Sequence, residues 1–115
     1  MKIYTSYFAK SAGHPKAVAI SNTSIPGYRG RSFTLLAPLW EWVQKYKDGN
    51  MTAVEFEVLY REVVLGRLDP QCVLSTLGDG AVMLCWESPE KFCHRHIVAD
   101  WLVTRIKGLE VEEIT

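Results

Sequence analysis

The segment from Cys85 to His96, Cys-Trp-Glu-Ser-Pro-Glu-Lys-Phe-Cys-His-Arg-His, concentrates the reactive side chains of this chain. It holds thiols at Cys85 and Cys93, imidazoles at His94 and His96, the Arg95 guanidinium and the carboxylate of Glu87. Anion binding is the first chemistry this set suits. A helix starting near Cys93 presents free N–H groups and about half a positive charge, and Arg95 adds a fork shaped for phosphate or carboxylate. Arg29 and Arg31, in the loop after the second predicted strand, can close over the same spot. The competing structural role for Arg95 is a pairing with Glu87 or Asp100 that pins the helix to its sheet.

Thiol chemistry is the second. A cysteine at a helix N-terminus beside Arg or His has a lowered pKa and can act as a nucleophile. Cys93 or Cys85 would attack while His94 or Glu87 handles the proton. Cys93 and Arg95 stand too close together for the phosphate loop of cysteine phosphatases. Both thiols also fit as small buried apolar groups, Cys85 in an apolar strand and Cys93 on an apolar helix stripe. Zinc is the third: Cys85, Cys93, His94 and His96 are suitable donors. Neighbours on a helix point about 100° apart, however, so Cys93 and His94 are not expected to converge, and no metal is assigned. Exposed aromatics beside cations, such as Tyr28 with Arg29 and Arg31 or Trp40 with Lys45, are the fourth, a pattern that serves single-stranded nucleic acid.

The elements that must position these groups follow from periodicity and punctuation. Lys2 to Phe8, Lys16 to Ile20, Ala81 to Trp86 and Glu110 to Ile114 read as strands. The first two are joined by too few residues for a full helical crossover, so they either pair antiparallel or lie apart in the sheet. Leu39, Trp42, Val43 and Tyr46 form a helical stripe opened by Pro38. Thr52 and Glu55 form a capping box for a helix carrying Phe56, Leu59, Tyr60 and Val63 and ending at Gly66. Asp69-Pro70 starts a short helix closed by Gly78. A last helix starts at Pro89 or Cys93 and runs to Lys107, with Gly108 as its stop. Ser21 to Thr34 reads as one long loop. The sum is an α/β domain spanning residues 1–115, with a small, open, mostly parallel sheet of about four strands flanked by helices.

The Leu84-Cys85-Trp86-Glu87 strand end with Cys93-His94-Arg95-His96-Ile97-Val98-Ala99-Asp100-Trp101-Leu102 resembles the signature of the family called domain of unknown function 488. Ile3-Tyr4-Thr5-Ser6-Tyr7, Ile20-Ser21 with Pro26, and Leu65-Gly66-Arg67-Leu68 resemble it too. The resemblance implies an α/β fold and a site at this junction, and transfers no reaction. Many relatives have a helix between the first two strands, for which this chain is expected to have no room.

Composition narrows the function. The chain has 115 residues, 48% of them hydrophobic, enough for one core and too few for two. Thirteen Lys and Arg balance thirteen Asp and Glu, so net charge does not support nucleic acid as a partner. Three cysteines at irregular spacing suggest no disulfide framework and a reducing compartment. No signal peptide or membrane span is visible, so a cytoplasmic protein is expected. In open α/β sheets, ligands sit beyond the strand carboxyl ends. A pocket there is expected to bind a small, nucleotide-like anion through Thr5, Ser6, Ser21, Arg29 and Arg95. Glu87, Cys93 and His94 are its catalytic candidates, with no cofactor. The alternative is a binding module that performs no reaction, in which the Cys-His-Arg motif is a structural clasp.

Overall fold

The computed structural model describes residues 1–88 and 91–115. Among the described residues, five parallel strands form one open sheet: β1 (Lys2–Tyr7), β2 (Ala17–Ala19), β3 (Arg31–Ser32), β4 (Val82–Cys85) and β5 (Glu110–Glu113), in the order β3-β2-β4-β1-β5. The fold class is the α/β open sheet the patterning predicts. β3 is the strand the sequence hides. It is two exposed residues inside the Ser21–Thr34 loop, with no apolar alternation to announce it.

β1 and β2 do not pair with each other. β4 lies between them, with Tyr4 opposite Val82 on one side and Ala17 opposite Val82 on the other. Their connection contains a one-turn helix, α1 (Phe8–Ser11). The expectation of no helix there is corrected: a full crossover does not fit, but one turn over the sheet end does. β4 is buried along its whole length, as its unbroken apolar run requires of a strand covered on both faces.

Alternation along the strands divides the core. Ile3, Val18, Ile20 and Met83 join a large cluster with residues of α2 (Trp40–Lys47), α3 (Ala53–Leu59), α4 (Pro70–Leu77) and α5 (His94–Arg105). Ala17, Ala19, Val82 and Leu84 point to the other face, under Phe8 of α1 and the ring of Tyr28.

The helix starts obey local chemistry. Thr52 and Glu55 exchange side-chain and backbone hydrogen bonds in the predicted capping box, and the Asp69 carboxylate accepts from the Cys72 N–H ahead of Pro70. Regular α-geometry ends at Leu59, earlier than the predicted stop. The chain widens into a π-turn over Tyr60–Val64, then tightens into a 3-10 turn over Leu65–Arg67. Tyr60 is fully buried and its hydroxyl donates to the Leu36 carbonyl. A side chain at Gly66 would crowd the Arg61 carbonyl at 3.3 Å. Gly78 and Gly80, at φ +84° and +79°, turn the chain into β4. Among the described residues, no helix is long and apolar enough to cross a membrane. A start of α5 at Pro89 lies outside the described residues; the helix begins at His94, with Cys93 as N-cap.

Thr52→Ala removes the acceptor for the Glu55 N–H. It is expected to lower stability by about 1 kcal/mol in denaturant melts; an unchanged midpoint would show that the box carries no stability.

Candidate functional site

Cys85 ends β4 and shares the parity of Met83, so its side chain lies on the face covered by α5. The chain leaves the sheet through Trp86, Glu87 and Ser88. It returns at Lys91, whose N–H donates to the Ser88 carbonyl at 3.0 Å. Phe92 then seats against Tyr46 and Phe56, ring centroids 5.1 and 5.3 Å away. Cys93 follows in extended conformation, φ −151° and ψ 145°. It therefore stands outside the helix, and the 100° rule that argued against convergence with His94 does not apply to it. Cys93 Sγ and His94 Nδ1 approach to 3.7 Å.

Cys85 and Cys93 are joined as a disulfide, their Cα atoms 7.2 Å apart. This corrects the reading that no bridge follows from the cysteine spacing: the strand-to-helix loop folds back and brings two thiols of close sequence separation onto one spot. Cys72 is free and exposed, its thiol pushed up by its hydrogen bond to Asp69 and by that residue's charge.

His94 is buried under the Tyr60 ring. Its Nε2 lies 2.6 Å from the Ile20 carbonyl. A carbonyl only accepts, so Nε2 carries the proton and Nδ1 turns its lone pair toward Cys93. Burial holds His94 down to about 4; the bond to Ile20 opposes that shift, and the charge of Arg95 adds to it. His96, less buried, is lowered for the same first reason.

Arg95 is wholly buried. Nε and Nη2 donate to the two oxygens of Glu113 at 3.1 and 3.0 Å, and Nη1 donates to the Glu87 carbonyl at 2.7 Å and to Cys85 Sγ at 3.0 Å. Its fork is spent inside the protein, tying α5 to β5 and to the loop after β4. The expected ligand-binding role of Arg95 is corrected accordingly: no face of the guanidinium is open to an incoming anion. Its carboxylate partner is neither Glu87 nor Asp100. It is Glu113, which also accepts from the Thr5 hydroxyl.

Beside this clasp, beyond the carboxyl ends of β2 and β4, lies an open cleft of about 840 Å³. Ser21, Glu87, Cys93 and His94 line it together, with Cys85 at the same end. The rings of Trp40 and Tyr46 of α2, Phe56 of α3, Trp86 and Phe92 stand in its walls. Asn22, Lys47 and Lys91 add polar groups. The other expected residues lie elsewhere. Thr5 is buried against Glu113 on the far side of the clasp, and Ser6 is buried with its hydroxyl 2.7 Å from that of Ser11. Arg29 is exposed and outside the cleft. Arg31 donates to the carbonyls of Thr76 and Leu77 at the end of α4.

The aromatic wall and Glu113 are the residues that pattern reading missed. Only Trp40, off its helical stripe and 54% exposed, gave a signal. Compared with family models, curated proteins and solved structures, the chain matches none.

Arg95→Ala strands the Glu113 carboxylate and is expected to cost about 3–5 kcal/mol in chemical denaturation. A loss below about 1 kcal/mol would dismiss the clasp. For His94 the folded pKa lies below the unfolded value near 6.5, so its contribution is complete above that pH and is lost as pH falls toward 4. Between pH 7 and pH 4.5 it is expected to remove about 2–3 kcal/mol. His94→Gln should flatten that part of the profile, and an equally steep profile in the variant would remove the assignment.

Proposed function

We propose that the cleft between α2, α3 and the start of α5 binds a small organic anion with a flat ring, nucleotide-like in its chemistry. The observation that carries this reading is the aromatic-walled cavity at the strand carboxyl ends, the position where open α/β sheets hold ligands. Trp40, Tyr46 and Phe92 offer faces on which a planar group stacks at low entropic cost. Lys47 and Lys91 supply positive charge at the rim, and α5 presents its N-terminal end. Arg95 takes no part in binding. It holds the floor in place, which joins the structural-clasp reading of the Cys-His-Arg motif to the pocket reading. The likeness to the domain of unknown function 488 family belongs to the same proposal and adds a scaffold and a location, with no reaction.

The test is titration of the protein with adenosine monophosphate, with adenosine and inorganic phosphate as controls, read by tryptophan fluorescence since Trp40 and Trp86 line the cleft. Saturable binding of the nucleotide is expected. The Lys47→Glu/Lys91→Glu double variant should weaken it about tenfold, or 1.4 kcal/mol, with its melting curve unchanged. Absence of saturation, or equal binding by the double variant, would overturn the reading.

A further inference from the structure

The structure assigns a second capacity to the floor of the cleft: in its dithiol form, the Cys85, Cys93 and His94 cluster is a three-ligand site for a zinc-type cation, with the fourth position open to the cavity. The assignment needs the metal alone and does not depend on what organic ligand the cleft takes.

Three features carry it. The two Sγ atoms and a His94 ring nitrogen all lie within 4.8 Å of one another, and all three residues are buried. Tetrahedral zinc, with Zn–S about 2.3 Å and Zn–N about 2.0–2.1 Å, sets a sulfur and a nitrogen ligand about 3.6 Å apart; Cys93 Sγ and His94 Nδ1 stand 3.7 Å apart. Second, His94 is already oriented as metal-binding histidines are. Its Nε2–H is held by the Ile20 carbonyl, which fixes the tautomer and leaves Nδ1 as the lone-pair donor. Third, Arg95 Nη1 donates to Cys85 Sγ at 3.0 Å. That contact favours a thiolate, the form that binds metal.

The main chain is compatible with opening the bridge. The Cα separation of 7.2 Å exceeds the roughly 4.4–6.8 Å that disulfides usually span. Two thiolates on one zinc sit about 3.8 Å apart at tetrahedral angles, a spacing this backbone accommodates. Reduction by a thiol-class reductant adds two electrons and two protons to the Cys85–Cys93 bond, and the reductant leaves as its own disulfide. Zinc then displaces the two thiol protons and takes the neutral His94 Nδ1 as third donor. Two sulfurs and one nitrogen from the protein, with a position left for water or ligand, is the donor count of reactive rather than purely structural zinc.

The experiment is cobalt(II) titration of the protein reduced with a phosphine under anaerobic conditions, followed by displacement with zinc. A thiolate-to-cobalt charge-transfer band in the near ultraviolet, saturating at one equivalent and bleached by zinc, is expected. Cys72→Ser should leave the band intact, Cys93→Ser should cut its intensity by about half, and the oxidised protein should give none. No thiolate band from the reduced wild type, or a band lost on Cys72→Ser, would overturn the assignment. The wild-type and Cys72→Ser arms decide the matter even if Cys93→Ser fails to fold.

Discussion

The structure depends on one buried charge. Arg95 has no exposed surface, yet its guanidinium keeps four hydrogen bonds, to the Glu113 carboxylate, the Glu87 carbonyl and Cys85 Sγ. Taking a guanidinium out of water is costly unless every donor finds a partner. That requirement fixes where β5 must lie, because only a strand beside β1 can bring Glu113 opposite Thr5 and within reach of α5. It also fixes the loop after β4, whose backbone must turn a carbonyl inward. The terminal strand, the central strand and the last helix are thus held in one arrangement by a single side chain.

The cleft inherits its shape from that arrangement. With the Glu87 carbonyl drawn inward, the side chains of Trp86 and Glu87 are left at the cleft, and Trp86 Nε1 donates to the Thr23 carbonyl at 3.2 Å. The returning chain then sets Phe92 into the Tyr46 and Phe56 rings and delivers Cys93, still extended, beside Cys85. The motif therefore divides its labour. Arg95 faces inward and stabilises, while Cys93 and His94, its immediate predecessors, face the cavity.

Much of the scaffold was legible because it rests on local rules. The capping box at Thr52 and Glu55, the Asp69-Pro70 start, the Gly78 stop and the apolar run of β4 each depend on neighbours close in sequence. β3 was not legible: Arg31 and Ser32 pair with β2 through backbone alone and carry no burial pattern. The one-turn α1 escaped for a related reason, being too short for any periodicity. At the site, the sequence marked the Cys85–His96 segment as the chemical centre, and Ser21, Glu87, Cys93 and His94 do share one cleft. It placed Thr5, Ser6 and Arg29 there as well, on the assumption that residues near strand ends converge. Side-chain parity and sheet order separate them.

By itself, the order of residues determined most of the longer elements and where they begin, because caps, turns and periodicity act over a few bonds. Only the tertiary structure decided which strands became neighbours, that Glu113 and not Glu87 or Asp100 would hold Arg95, and that an N-cap conformation would let two adjacent residues, Cys93 and His94, point to the same place. Those outcomes hang on contacts between distant segments and on one pair of backbone angles, and neither is written in spacing along the chain.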